Sequence, residues 1–183
     1  MAELLEPLKD KTMKFLKLRL LLIAAVGFAF SGTANAQNTQ NIAVTATVPS
    51  FCIVNVGTTE TTMDFGTLNI TVAVAPFDAT TTLAWRCSAG FNTDIEIGPG
   101  GSANQENRTM DSGGNSLAYN LYTDSGYGTV WGDGTGTTAT VGITGTGIGN
   151  IGTTTVFGRI LLAAAQTAVV GVYTDTVLVT ILP

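Results

Sequence analysis

The sequence predicts an all-β domain, a sandwich or barrel of many short strands. Three observations lead there. Apolar residues alternate with Thr, Ser or Asn through most of residues 37–183, clusters of Gly, Asn, Asp and Pro interrupt the alternation at short intervals, and helical spacing of apolar residues is nearly absent. A two-residue period puts one face of each strand on a core and the other in water, and β-branched threonine suits the wet face. Short strands punctuated in this way assemble into two-layer or closed all-β architectures.

The predicted strands cover residues 42–48, 52–56, 62–65, 68–75, 80–87, 94–97, 116–122, 139–144, 155–162 and 172–182. Gly98-Pro99-Gly100-Gly101 and Ser112-Gly113-Gly114-Asn115 are the clearest separators. The one helical candidate is 161–168, alanine-rich and too short to stand alone. The glycine-rich region 126–152 reads as hairpins and loops in which glycine supplies positive φ. It contains Gly147-x-Gly149-x-x-Gly152, a formal dinucleotide-binding match. No strand-turn-helix unit surrounds it, and the residues after Gly152 read as β, so the match is taken as chance. Asn-x-Thr triplets at Asn69 and Asn107 would matter only in a eukaryotic secretory pathway.

At the N-terminus, Lys14, Lys17 and Arg19 precede the apolar run 20–30, and Ala34-Asn35-Ala36 follows it. That is the order of a secretory signal, and the run falls short of the roughly 20 residues a membrane-spanning helix needs. Residues 1–36 are therefore expected to be removed, leaving a chain that starts at Gln37, in preference to an uncleaved anchor. Charges of both signs at Glu3, Glu6, Lys9, Asp10 and Lys11 make Met13 an alternative start.

Residues 37–183 carry three basic residues, Arg86, Arg108 and Arg159, against ten acidic ones, a net charge of −7. With no Lys, no His and no basic run, there is no electrostatic footprint for a phosphate backbone or an anionic lipid surface, which excludes nucleic acid as a partner. The length supports one sizeable core, with no sign of a second domain. Without His or Lys there is no Ser-His-Asp or Cys-His nucleophile, no imidazole metal site and no Schiff base, so neither catalysis nor a cofactor or metal is expected. Asp124, Asp133 and Asp175 are the carboxylates that could make a glycosidase pair or a calcium site. Their spacing matches no ligand motif, and they read as solvated acids of turns and strand edges. Trp85, Trp131 and Tyr127 could stack on a sugar, but an aromatic within a strand is more often core. Cys52 and Cys87 follow the export signal into an oxidising compartment, where a Cys52–Cys87 disulfide is the natural reading and a reactive thiol the alternative.

Short motifs spread over most of residues 37–183 resemble the spore coat protein U domain, the family that includes subunits of archaic, Csu-type chaperone–usher pili. They are Cys52-Ile53-Val54, Asp64-Phe65-Gly66, Cys87, Arg108-Thr109-Met110, Leu117-Ala118-Tyr119-Asn120-Leu121-Tyr122-Thr123-Asp124, Trp131-Gly132-Asp133-Gly134, Phe157-Gly158-Arg159-Ile160 and the run from Gly171 to Thr180. The resemblance implies an incomplete immunoglobulin-like β-sandwich, completed by a donor strand from a neighbouring subunit. It implies too that a periplasmic chaperone fills the apolar groove first and the next subunit's N-terminal segment fills it later, with an outer-membrane usher as a further partner. An unpaired sheet edge over an open core is a template for another chain's strand.

On that reading 37–49 is the donor segment and 50–183 the pilin domain. Ile42, Val44, Ala46 and Val48 form one apolar face of the donor. Tyr173, Val177, Val179 and Ile181 form the groove-facing side of the last strand by the same period. Without the resemblance, 42–48 reads as an ordinary first strand. The expected function is thus a non-enzymatic structural subunit of a fimbrium on the cell surface, exported through the periplasm, binding a chaperone, an usher and copies of itself, and serving adhesion or biofilm formation. The alternatives are a coat or matrix protein that does not polymerise, and a carbohydrate-binding β-sandwich.

Overall fold

The computed structural model describes residues 38–54 and 61–182 of the 183-residue chain. The chain divides into two units, Met1–Ala46 and Thr47–Pro183. In the first, residues 38–46 are exposed and carry neither helix nor strand. The expected signal segment 1–36, the cleavage point before Gln37 and the alternative start at Met13 lie outside the described residues. The strand expected over 42–48 does not form. A strand exists only as part of a ladder, and no described residue pairs with this run.

Among the described residues the second unit contains β1 Cys52–Val54, β2 Phe77–Cys87, β3 Asn92–Ile97, β4 Arg108–Ser112, β5 Asn115–Tyr122, β6 Val141–Thr144, β7 Gly152–Ile160 and β8 Val179–Ile181. A 3-10 turn at Gly100–Ser102 and one helix, α1 Leu162–Thr167, complete it. The strands form a five-stranded sheet in the order β1-β2-β7-β5-β4 and a three-stranded sheet in the order β6-β3-β8. All the strand pairs are antiparallel. The inner faces meet in one core, with Leu83, Trp85, Leu117, Leu121, Val156 and Ile160 from the larger sheet and Ile95, Ile97 and Ile143 from the smaller. This is an all-β, immunoglobulin-like sandwich.

Local chemistry explains the best-defined elements. β2 and β7 pair along nine positions from Phe77↔Ile160 to Trp85↔Gly152, and in each the inward residues are the buried ones. β4 and β5 are joined by Gly113-Gly114, both at positive φ, which is the backbone a two-residue hairpin loop demands. β4 was hidden from the sequence because Arg108-Thr109-Met110-Asp111-Ser112 shows no clean alternation. At the other end of the larger sheet, Cys52 stands opposite Cys87 in the β1–β2 register and the two are joined in a disulfide.

Three further expectations are corrected. Residues 62–65 and 68–75 join no ladder, and of 172–182 only Val179–Ile181 is strand, with Thr174 in an isolated bridge to Asp111. Residues 62–65 and 172–178 nevertheless alternate between half-buried and exposed at a period of two or close to it. The side-chain period is present, and what is missing among the described residues is a strand laddered along these runs.

Candidate strand-acceptor edge

The C-terminal run is bonded along one side only. Thr174 exchanges both backbone hydrogen bonds with Asp111, its N–H reaching Asp111 O at 3.0 Å and its carbonyl accepting from Asp111 N at 2.9 Å. Farther on, Leu178 O accepts from Gly98 N at 2.8 Å, and Thr180 stands opposite Glu96 in the β3–β8 ladder. Successive residues of an extended chain turn their N–H and C=O groups to opposite sides, so if Thr174, Leu178 and Thr180 face β4 and β3, the odd-numbered residues face away. Among the described residues no strand pairs with that second side.

The same odd-numbered residues carry the inward side chains. Tyr173, Asp175, Val177, Val179 and Ile181 are all half-buried, whereas Thr174, Thr176 and Leu178 are exposed. The edge therefore presents unpaired backbone and core-facing side chains from one set of residues, as an incomplete sheet does. Of the expected groove residues, Val179 and Ile181 lie in β8, while Tyr173 and Val177 lie in the extended run before it. Tyr173 also donates its hydroxyl to Val169 O at 2.6 Å.

A second unpaired run approaches the same part of the core. Met63 and Phe65 lie over β7 at Gly158, where an added Cβ would come within 2.2 Å of Met63 Sδ and 2.9 Å of Phe65 Cζ. Glycine is required there by that close approach. Phe65 meets Tyr119 edge-on, with ring centroids 6.4 Å apart, and Tyr119 donates its hydroxyl to Asp175 Oδ2 at 2.7 Å. Both unpaired runs thus converge on Tyr119 of β5.

Asp175 is held by three donors: Tyr119, Gly101 N at 2.9 Å and Thr176 N at 2.8 Å. Burial pushes the Tyr119 phenol up, and the Asp175 carboxylate pushes it further. Below this cluster lies Arg108, fully buried, whose five N–H donors all find acceptors: Gly98 O, Gln105 O, Asn120 Oδ1, Ile97 O and Trp131 O, at 2.7–3.1 Å. Burial draws the guanidinium below its ordinary value, yet an arginine stays protonated in proteins. Four neutral carbonyls and an amide oxygen replace the carboxylate that a buried cation more often takes, and they fix the 3-10 turn and the β3 end that flank Asp175. Sequence reasoning assigned no role to Arg108, Tyr119 or Asp111. A lone Arg and a lone Asn, 12 positions apart, give no local signal of a shared network.

The remaining candidates sort out differently. Ile42, Val44, Ala46 and Val48 are exposed, Val44 and Val48 both at 87%. Trp85 and Trp131 are buried, with indole N–H groups donating to Thr154 Oγ1 and Ile95 O, so neither is a sugar-stacking surface. Tyr127 is half-buried, with the Arg159 guanidinium 3.5 Å from its ring centroid. Asp124 and Asp133 bond their own turns, at Gly126 N and Thr135 N, so these acids serve loop geometry. Among the described residues no group of three His, Cys, Asp or Glu side chains could hold a metal ion, and no helix is long and apolar enough to cross a membrane.

The geometry defines an all-β sandwich whose C-terminal run leaves a strand edge open over the core among the described residues. Residues 38–180 match the family model of the Spore Coat Protein U domain, and the chain belongs to that family. No curated protein matches it. Among solved structures it is similar to the crystal structure of the CsuC–CsuE chaperone–tip adhesion subunit pre-assembly complex from archaic chaperone–usher Csu pili of Acinetobacter baumannii, at 21% identity and a TM-score of 0.44. The match covers 74% of this chain and 40% of that one, so this chain spans less than half the length of its structural relative.

Proposed function

We propose that this protein is an exported, non-enzymatic subunit of a bacterial surface fibre of the chaperone–usher kind, assembled by donor-strand exchange. Residues 1–36 are the signal, 37–49 the donor arm and 50–183 the acceptor domain. The observation that carries the reading is the pairing of opposites within one sequence. An inward-facing row at Tyr173, Val177, Val179 and Ile181 lacks a strand neighbour on its second side among the described residues, and an exposed, strand-prone row at Ile42, Val44, Ala46 and Val48 lacks a ladder. Each lacks what the other supplies. A periplasmic chaperone covers the edge before assembly, an outer-membrane usher exports the subunit, and copies of the chain then complete one another. Adhesion and biofilm formation follow from a fibre at the cell surface.

The test compares Val44→Asp with Thr45→Asp in cells that supply the chaperone and usher. Burying an unpaired carboxylate in an apolar groove costs several kcal/mol, while the same charge on the opposite face of the strand stays in water. Val44→Asp is expected to remain soluble with its chaperone and fail to form fibres, and Thr45→Asp to assemble. Loss of folding and chaperone capture by Val44→Asp would assign 42–48 to the chain's own core and end the donor reading. Equal indifference to both substitutions would favour a coat or matrix protein that does not polymerise.

A further inference from the structure

The acceptor row is not uniformly apolar. Between Tyr173 and Val177 the inward position is Asp175, a carboxylate fixed by Tyr119, Gly101 N and Thr176 N. It has no freedom to swing out of a donor's way, because an added Cβ on Gly100 would already lie 2.2 Å from its Oδ2. The exposed row of the arm also has one exception, since Ile42, Val44 and Val48 carry branched side chains and Ala46 a single methyl. From these two exceptions we infer the register of the assembled fibre: Ala46 of one copy lies directly opposite Asp175 of the next, in an antiparallel ladder. The inference rests on the donor-strand reading and adds the pair of residues that sets its alignment.

Desolvation sets the partner of Asp175, and coverage of the apolar row sets the strand direction. A branched side chain laid over Asp175 would strip water from a carboxylate without offering a donor, whereas alanine covers the least of it. At the other positions of the row the preference reverses, because larger apolar side chains bury more surface against apolar neighbours. With Ala46 at Asp175, two strand directions remain. Antiparallel alignment sets Val48 against Tyr173, Val44 against Val177 and Ile42 against Val179, so each branched donor residue meets an apolar partner. Parallel alignment sets Ile42 against Gly171, which is exposed and has no side chain, and leaves Val179 and Ile181 uncovered. Sliding the antiparallel strand by two residues either way lays Val44 or Val48 on the carboxylate.

Cysteine cross-linking between copies tests the register. One copy carries Val44→Cys and the other Val177→Cys, Val179→Cys or Tyr173→Cys, co-expressed with the chaperone and usher so that fibres form. Directly opposed, hydrogen-bonded residues have Cα atoms about 5.5 Å apart, within disulfide reach. A two-residue slip adds roughly 6.7 Å along the strand and takes the pair out of reach. The expected result is about tenfold more dimer from 44 with 177 than from 44 with 179 or 173 on a non-reducing gel. Preference for 173 or 179 would overturn the register and leave the donor reading standing. No cross-link from any pair, with all copies folded and exported, would overturn both. As a second measurement, Ala46→Leu should assemble at least about tenfold more slowly than the parent, while Ala46→Ser, which is small and can donate to the carboxylate, assembles at a parental rate. Parental assembly by Ala46→Leu would sink the assignment.

Discussion

Tyr119 donates its phenolic hydroxyl to Asp175 Oδ2 at 2.7 Å, tying the inner face of β5 to the run that carries the open edge. The residue before Asp175, Thr174, is bridged to Asp111 of β4, so the position of the acceptor rim depends on both strands of the β4–β5 hairpin. The Tyr119 phenol is held above its ordinary value by burial and by that carboxylate. A group whose folded value is raised contributes stability that is fully present below its unfolded value, about pH 10 for tyrosine, and is lost as the pH climbs toward the folded one. The parent protein should therefore lose stability between about pH 10 and about pH 11, and Tyr119→Phe should flatten that loss. At neutral pH the same substitution is expected to cost roughly 1–2 kcal/mol, because Asp175 keeps its two backbone donors. Urea unfolding at both pH values measures the two effects together.

Arg108 gives a sharper case. Replacing it with alanine strands four backbone carbonyls and the Asn120 amide oxygen in the interior and opens a cavity beside the fully buried Trp131. A cost of about 3 kcal/mol or more is expected. Arg108→Lys keeps the charge but has three donors on a single nitrogen, which cannot serve acceptors on four separate segments. It should recover less than half of the loss in a denaturant titration. Recovery of parental stability by lysine would show that charge, rather than the planar fork, is what this site requires.

The disulfide contributes in a different way. β1 is a three-residue edge strand whose one ladder partner among the described residues is β2, and Cys52–Cys87 fixes it covalently in register. The bridge spans a sequence separation of 35, for which loop-closure entropy gives roughly 3–4 kcal/mol on a model-dependent account. Cys52→Ser should lower the thermal midpoint markedly, and the variant's midpoint should be insensitive to reductant. A parent protein equally insensitive to reductant would mean that the bridge is not formed.

These three sites differ in how much of them the sequence disclosed. The pairing of Cys52 with Cys87 was legible because the chain holds only two cysteines and its N-terminal pattern leads one to expect export to an oxidising compartment. Strands such as β2 and β7 were legible because alternation survives wherever one face is buried. The ladders of 62–65 and 172–178 were over-read for that same reason. Both runs keep the strand period in their side chains, and periodicity reports which face is buried, not whether a neighbour exists to pair with. Arg108 was invisible as a structural hub. Its acceptors come from Gly98, Gln105, Asn120, Ile97 and Trp131, and four of the five are backbone oxygens, which leave no trace in residue identity.

The open edge itself makes a prediction that side-chain substitutions do not reach. Proline removes a backbone N–H, and along the C-terminal run the direction of that N–H alternates with residue number. At Val177 it points to the unpaired side, where the domain makes no bond of its own among the described residues. At Thr180, opposite Glu96, it belongs to the β3–β8 ladder. Val177→Pro should accordingly leave the isolated domain close to parental stability, within about 1 kcal/mol after allowing for the lost side-chain packing, and impair strand acceptance. Thr180→Pro should destabilise the domain itself by about 3 kcal/mol, since a ladder bond is lost and β8 has only three residues to lose it from. Thermal unfolding of each variant, set beside its yield of fibres, separates the two effects. A Val177→Pro protein that polymerises normally would show that the unpaired side of this run is not where a donor strand adds.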